Sequence, residues 1–374
     1  MQNVAQAWLI YRLTESSFML GLAAFCGLFP VLVLSLWGGV VADHVDRHKL
    51  LIVAHTAGLL QALLLGLLTI SGSVEPWHIL VFSTLLGIIH AFEMPARHTF
   101  LSDMVTREDL PNAIALNSSA FNIARFLGPF LAGILIALWG EGPVFLINSV
   151  SFLAVLYGLM HMRITIPAVK GDESAVLTKI KQGLVFAWSN KQIRTSLMLL
   201  SIFSIVGTSL TVLMPVFTDL IFHGNSEILG TLLGSMGLGA LMGAFTLAYY
   251  SNYLHIARKI GSAGFVAGCC LLLFPMVSNI NMALPLLAVF GYCQTILAAS
   301  TNTMIQSLVD DKLRGRVMSV FSTVFIGFMP IGSIASGSIA EIIGVQNTVY
   351  ALGVVSIFTS CLYLLIMKYR MLTK

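Results

Sequence analysis

Apolar residues in this chain come in long blocks separated by short polar stretches. The blocks lie at about residues 17–42, 50–71, 78–101, 111–138, 143–162, 195–221, 227–249, 260–278, 281–307, 315–340 and 347–367. A helix rises about 1.5 Å per residue, so a block of about 20 residues crosses the roughly 30 Å hydrocarbon core of a bilayer. Ahead of them, Met1 to Leu13 is apolar and helical in character but reaches only about 20 Å, short of a full span. That shortness leads us to expect that the first helix is truncated at Met1. Counted with it, twelve helices are predicted, and the fold class is an all-α polytopic membrane protein. The longest polar stretch, Arg163 to Arg194, divides the chain into an N-terminal half (1–162, helices 1–6), a linker (163–194) and a C-terminal half (195–374, helices 7–12). Within the linker, Leu177, Ile180, Leu184 and Trp188 recur at helical spacing beside Lys179 and Lys181, the pattern of an amphipathic helix lying on the membrane surface.

Composition agrees with a membrane chain: 57% of residues are hydrophobic, 10% are charged, and mean hydropathy is +0.91. The net charge of +4 matters less than where the charge sits. With loops assigned alternately to the two sides, every one of the 20 basic residues except Arg12 and Arg125 falls on or near one side. That side is the cytoplasm by the positive-inside rule, and the expected location is the bacterial inner membrane. The five cysteines lie inside apolar blocks without metal-ligand spacing, so neither a disulfide framework nor a metal site is expected. No His-Glu-x-x-His, Gly-x-Ser-x-Gly or phosphate-loop pattern occurs, which argues against an enzyme or an ATP-driven pump.

The two halves repeat at an offset of 204 residues, which pairs Gly39 with Gly243, Gly87 with Gly291, Gly128 with Gly332, and Gly133 with Gly337. Parallel halves of this kind are related by an axis along the membrane normal. The charged positions do not repeat: Asp43, Glu93, Asp103 and Arg125 correspond to Leu247, Leu297, Ser307 and Met329. Glu93 and Arg125 are the deepest ionisable residues, with an expected axial offset of about 6 Å that long side chains can bridge. An unpaired charge at mid-bilayer is costly, so the two are expected to pair, or to face a wet cavity. His90 and Arg97 share a helix face with Glu93, and the four form a candidate proton or substrate site.

Three motifs carry a resemblance. Gly39-x-x-x-Asp43-x-x-x-Arg47-x-Lys49 resembles the loop signature between the second and third helices of the major facilitator superfamily. The runs Gly87 to Arg97, Thr106 to Asn112 and Asn122 to Pro129 look like the branch of that family that includes the enterobactin exporter and macrolide-type efflux proteins. Ala124-x-x-x-Gly128-Pro129-x-x-Ala132-Gly133 resembles the fifth-helix motif of its antiporters, with Gly128, Pro129 and Gly133 packing against the opposite half. The resemblance implies a cytoplasmic latch in which Asp43 faces the start of the eleventh helix near Arg314 to Arg316 and Arg47 pairs with Asp103. Gln2, Gln6, Gln294 and Asn302 are cavity candidates on helices whose family counterparts border the central cavity.

The implied function is secondary active transport, as a proton-coupled exporter of amphipathic or hydrophobic small molecules, drug-like or siderophore-like, working by alternating access. No cofactor is expected beyond a coupling proton. The partners are a small-molecule substrate and the lipid bilayer, with no nucleic acid, and the chain is expected to act as a monomer. Many drug-proton antiporters carry Arg-x-x-Gln-Gly in the fourth helix, where this chain has Ser83-Thr-Leu-Leu86-Gly87. A facilitator-type importer or uniporter, or a transport-inactive truncated member, therefore stays open as an alternative.

Overall fold

The structure, a computed structural model, describes residues 1–106, 108–162, 176–249 and 256–372, with the side chains at positions 36, 43, 102, 103, 111, 176–181, 311, 312 and 369–372 left out. The N-terminal half holds α1 (Gln2–Thr14), α2 (Ser17–His44), α3 (Arg47–Ile70), α4 (Pro76–Met104), α5 (Leu110–Trp139) and α6 (Glu141–His161). After α7 (Val176–Ser189), the C-terminal half holds α8 (Lys191–Leu220), α9 (Ser226–Tyr249), α10 (Ile256–Leu273), α11 (Ile280–Leu308), α12 (Asp311–Gly327), α13 (Met329–Ile343) and α14 (Val345–Leu372). Eleven helical stretches among the described residues are long and apolar enough to cross a membrane; α1, at 13 residues, is not one of them.

Local chemistry sets the ends of these helices. The Ser16 hydroxyl accepts from Met19 N at the start of α2, Asp46 from His48 N and Lys49 N at the start of α3, and Asn190 from Gln192 N and Ile193 N at the start of α8. Two predicted spans change shape. The block at 315–340 is broken at Phe328, between α12 and α13, because Pro330 has no N–H to continue the ladder and its ring crowds the preceding turn. The block at 260–278 ends as a 3₁₀ turn, Phe274–Met276, again around a proline. In the linker, α7 packs against the inner end of α12: a side chain on Gly183 would run into the Arg316 carbonyl, and Arg316 donates to the Gln182 side chain.

The repeat is visible in matched contacts. Gly128 faces Met1 of α1, and its mate Gly332 faces Ile205 of α8, 204 residues after Met1. On α2 and α9, however, the offset is 209. Gly21 corresponds to Gly230, and Gly27, which packs on Gly87, corresponds to Met236, which packs on Gly291. The pairing of Gly39 with Gly243 therefore does not hold, because five extra residues enter before α9 and shift its register.

Candidate functional site

The two halves meet through α2 on α13 and α5 on α9, and both crossings are tightest near their outer ends. A Cβ on Gly21 would lie 2.5 Å from Ser333 O and 3.0 Å from Gly337 Cα, while one on Gly133 would lie 2.5 Å from Ser226 O and 2.7 Å from Gly230 Cα. Only glycine lets backbones approach this closely. Polar contacts strengthen the same level. Glu341 accepts from Phe18 N at 3.1 Å and from the Ser16 hydroxyl at 3.2 Å, so a carboxylate of one half sits on a helix N-terminus of the other. The Tyr11 hydroxyl donates to Asp219 at 3.0 Å, and the Ser226 hydroxyl donates to Gly133 O at 3.2 Å.

On the Lys/Arg-rich side no crossing of this kind between the halves is found among the described residues. A Cβ on Gly39 or Gly315 meets nothing within 4 Å, so no helix approaches closely at Gly39 of the loop signature; the close contact falls instead on Gly38, whose Cβ would run into the Ala91 carbonyl. Residues 114–121 of α5 are exposed all round the helix. No described helix covers this stretch on any face, so its inward side borders open space. A chamber thus opens between the halves on the cytoplasmic side and is closed above by the glycine crossings.

Arg125 faces this chamber. It shares a helix stripe with Ala132 and Ile136, seven and eleven residues further on, which are buried at the closed level, whereas Arg125 itself is exposed. Ser118 and Asn122 continue the stripe inward, one exposed and the other half-buried. The expected pair between Glu93 and Arg125 does not form. The α4 helix packs on α2 and α3 while α5 packs on α9, so a small axial offset does not bring the two side chains together.

Glu93 instead pairs with Arg97 one turn on, at 3.4 Å between Oε1 and Nε. Glu93 is 7% exposed, and His90 and His55, the latter from α3, lie within electrostatic reach of both charges. This cluster lies inside the N-terminal half rather than on the chamber. His55 was missed from sequence because nothing along the chain says that α3 turns it toward α4.

At the predicted latch, Arg47 is buried and its Nε donates to Ala42 O at 3.1 Å. Lys49 stays near Asp46, 4.0 Å away. The side chains of Asp43 and Asp103 lie outside the described residues. His48 stacks on Phe100 and reaches Leu159 O at 2.7 Å, which joins α3, α4 and α6 at this inner end.

The amide candidates are engaged elsewhere. Gln2 is buried, donating to Gln61 at 2.6 Å and accepting from Asn148, so it ties α1 to α3 and α6 instead of lining a cavity. Gln294 donates to Phe203 O at 3.2 Å within the C-terminal half, and Asn302 accepts from Gln306 one turn on. Gln6 is buried with its Nε2 unpartnered among the described residues. Gly133 and the Pro129 carbonyl do pack against α9 of the opposite half, whereas Gly128 turns toward α1. The outer partners Gly21, Gly230 and Glu341 were also missed. A small residue or a terminal carboxylate carries no mark of what faces it.

Comparison with known proteins places this geometry. The family model described as transmembrane secretion effector matches residues 1–373. The staphyloferrin A transporter of Staphylococcus aureus is 29% identical over 94% of this chain and 88% of its own length. The multidrug efflux pump Tap of Mycolicibacterium fortuitum is 27% identical over 95% of this chain and 90% of its own. Among solved structures, a bacterial homolog of the human lysosomal transporter Spinster, in an inward-facing and unoccupied conformation, superposes with a TM-score of 0.73 at 16% identity, covering 97% of this chain and 93% of that one.

Proposed function

The chain belongs to the transmembrane secretion effector family, and on that membership we propose that it is a proton-coupled exporter of amphipathic small molecules. It is a multi-pass bacterial membrane transporter of the facilitator type, not an enzyme. The observation that supports export is the contrast between the glycine crossings on the outer side and the chamber open on the Lys/Arg-rich side, an arrangement ready to load from the cytoplasm. The multidrug efflux pump among its relatives supports the same direction.

In this reading the substrate enters beside the α5 stripe and the halves then rock about the central site. Glu93 is the proton site, because a buried carboxylate within a membrane span marks a proton path more often than it serves packing. Proton and substrate are then held at separate places. The link between them is α4, which carries Glu93 and packs on α2 through Gly87 and Ala91, while α2 carries Gly21 of the outer crossing.

The test uses everted membrane vesicles, in which an exporter accumulates substrate inside. A panel of amphipathic fluorophores is offered during respiration, with and without a protonophore. Accumulation that collapses with the protonophore and with Glu93→Gln is the expected result. Accumulation unaffected by either refutes proton coupling at Glu93, and transport only in the opposite direction refutes export.

A further inference from the structure

We infer that the chamber takes organic anions with an apolar body, and that Arg125 is the group that binds their charge; this rests on the transporter reading above and narrows its substrate class. Arg125 lies midway along the apolar span Asn112–Trp139. An arginine at that depth is costly in hydrocarbon unless it faces water or a counter-charge. The stripe it shares with Ala132 and Ile136, both buried at the closed level, points it toward the chamber, and no neighbouring helix covers it there.

No described carboxylate pairs with it. Glu93 is held by Arg97, Asp219 accepts from Tyr11 at the closed outer level, and Glu341 sits on the start of α2. Arg125 has no ion pair or side-chain hydrogen bond among the described residues. Its five N–H donors are thus presented to whatever enters, in a planar fork that matches carboxylate or phosphate oxygens. Ser118 and Asn122 on the same stripe add hydrogen-bonding groups toward the entrance.

The facing wall is different. The two-fold mates of Ser118, Asn122 and Arg125 on α12 and α13 are Ser322, Ile326 and Met329, none of them charged. A chamber with a cation on one wall and apolar groups on the other selects for both parts of an amphipathic anion. A cation would find Arg125 repulsive; the described carboxylates nearest these walls, Glu108 and Asp109 ahead of α5 and Asp310 ahead of α12, lie at the cytoplasmic mouth and not at the depth of Arg125.

The experiment is equilibrium binding to the purified full chain in detergent, read by fluorescence polarisation. The probes are carboxyfluorescein and rhodamine 123, which share a xanthene core and differ in charge. The unaltered protein is expected to bind the anionic probe about tenfold or more tightly than the cationic one. Arg125→Gln is expected to weaken the anion about tenfold without weakening the cation, and Arg125→Lys, which keeps the charge but loses the fork, is expected to fall between. Failure of the unaltered protein to bind carboxyfluorescein, equal or tighter binding of rhodamine 123, or an unchanged anion affinity in a folded Arg125→Gln overturns the inference. If the variants do not fold, the two probes on the unaltered chain decide alone. Because binding in detergent has no direction, anion binding without export in vesicles would overturn the export reading only, and export of cations without anion binding would overturn this inference only.

Discussion

The contact between Gly337 and α2 offers a direct test of the outer crossing. A Cβ built on Gly337 would lie 2.6 Å from Ser17 O, 2.9 Å from Gly21 Cα and 3.1 Å from Gly21 N, all backbone atoms that cannot turn aside. Carbon contacts are comfortable at about 3.5 Å, so Gly337→Ala must move α13 and α2 apart by close to an ångström. Such a gap forfeits a quarter to a half of the attraction along the crossing, and overpacking of this kind costs about 1–3 kcal/mol. In the open alternative that contact is absent and the methyl group costs nothing. At about 2 kcal/mol, the balance between closed and open outer faces shifts roughly thirtyfold. The assay is a distance distribution between spin labels at Ser73, on the outer loop after α3, and Asn347, in the first turn of α14 at the outer end, both exposed, in a background without the five native cysteines. Gly337→Ala is expected to move population to longer distances, and Gly133→Ala, its counterpart across the repeat, to do the same. An unchanged distribution in a stably folded Gly337→Ala would refute the view that these glycines hold the outer face shut.

Three further outcomes follow from contacts described above. Glu341→Gln weakens the carboxylate cap on α2 and is expected to favour the open outer face by about 0.3–1 kcal/mol, less at high salt, read by the same spin labels. Gln61→Leu leaves Gln2 Nε2 and the Phe82 carbonyl without their partner and is expected to cost about 1–3 kcal/mol, seen as a lower thermal unfolding midpoint with unchanged probe binding at Arg125. Glu93→Gln removes the partner of a half-exposed Arg97, so it is expected to cost only about 1 kcal/mol of stability while abolishing the protonophore-sensitive part of transport in everted vesicles.

Depth in the membrane was legible from sequence, and orientation about each helix axis was not. Hydropathy located the spans because every block must meet the same bilayer thickness, and the glycine repeat revealed the two-fold arrangement. Axial counting placed Glu93 and Arg125 near one level, but whether α4 turns toward α5 or toward α3 depends on packing partners that chain order does not state. Gln2 shows the same limit. A glutamine in an apolar helix asks for a hydrogen-bond partner, and only the fold shows that Gln61 and Asn148 provide it. Gly39 belongs to a recognisable motif, yet its close approach depends on which face of the molecule is closed. Pro330 was visible as a helix breaker, but breaking and kinking look alike until the turn before the proline is seen.

Two bodies held closest at two separated points move most easily by rotation about the line through them. The Gly21–Gly337 and Gly133–Gly230 crossings define such a line. Below it, α5 runs from Gly133 inward to Leu110, a lever of about 35 Å. A turn of about 10° about that axis swings the inner ends by about 6 Å on a lever of this length. Because the pivots are backbone against backbone, small swings of this kind need no side chain to change rotamer.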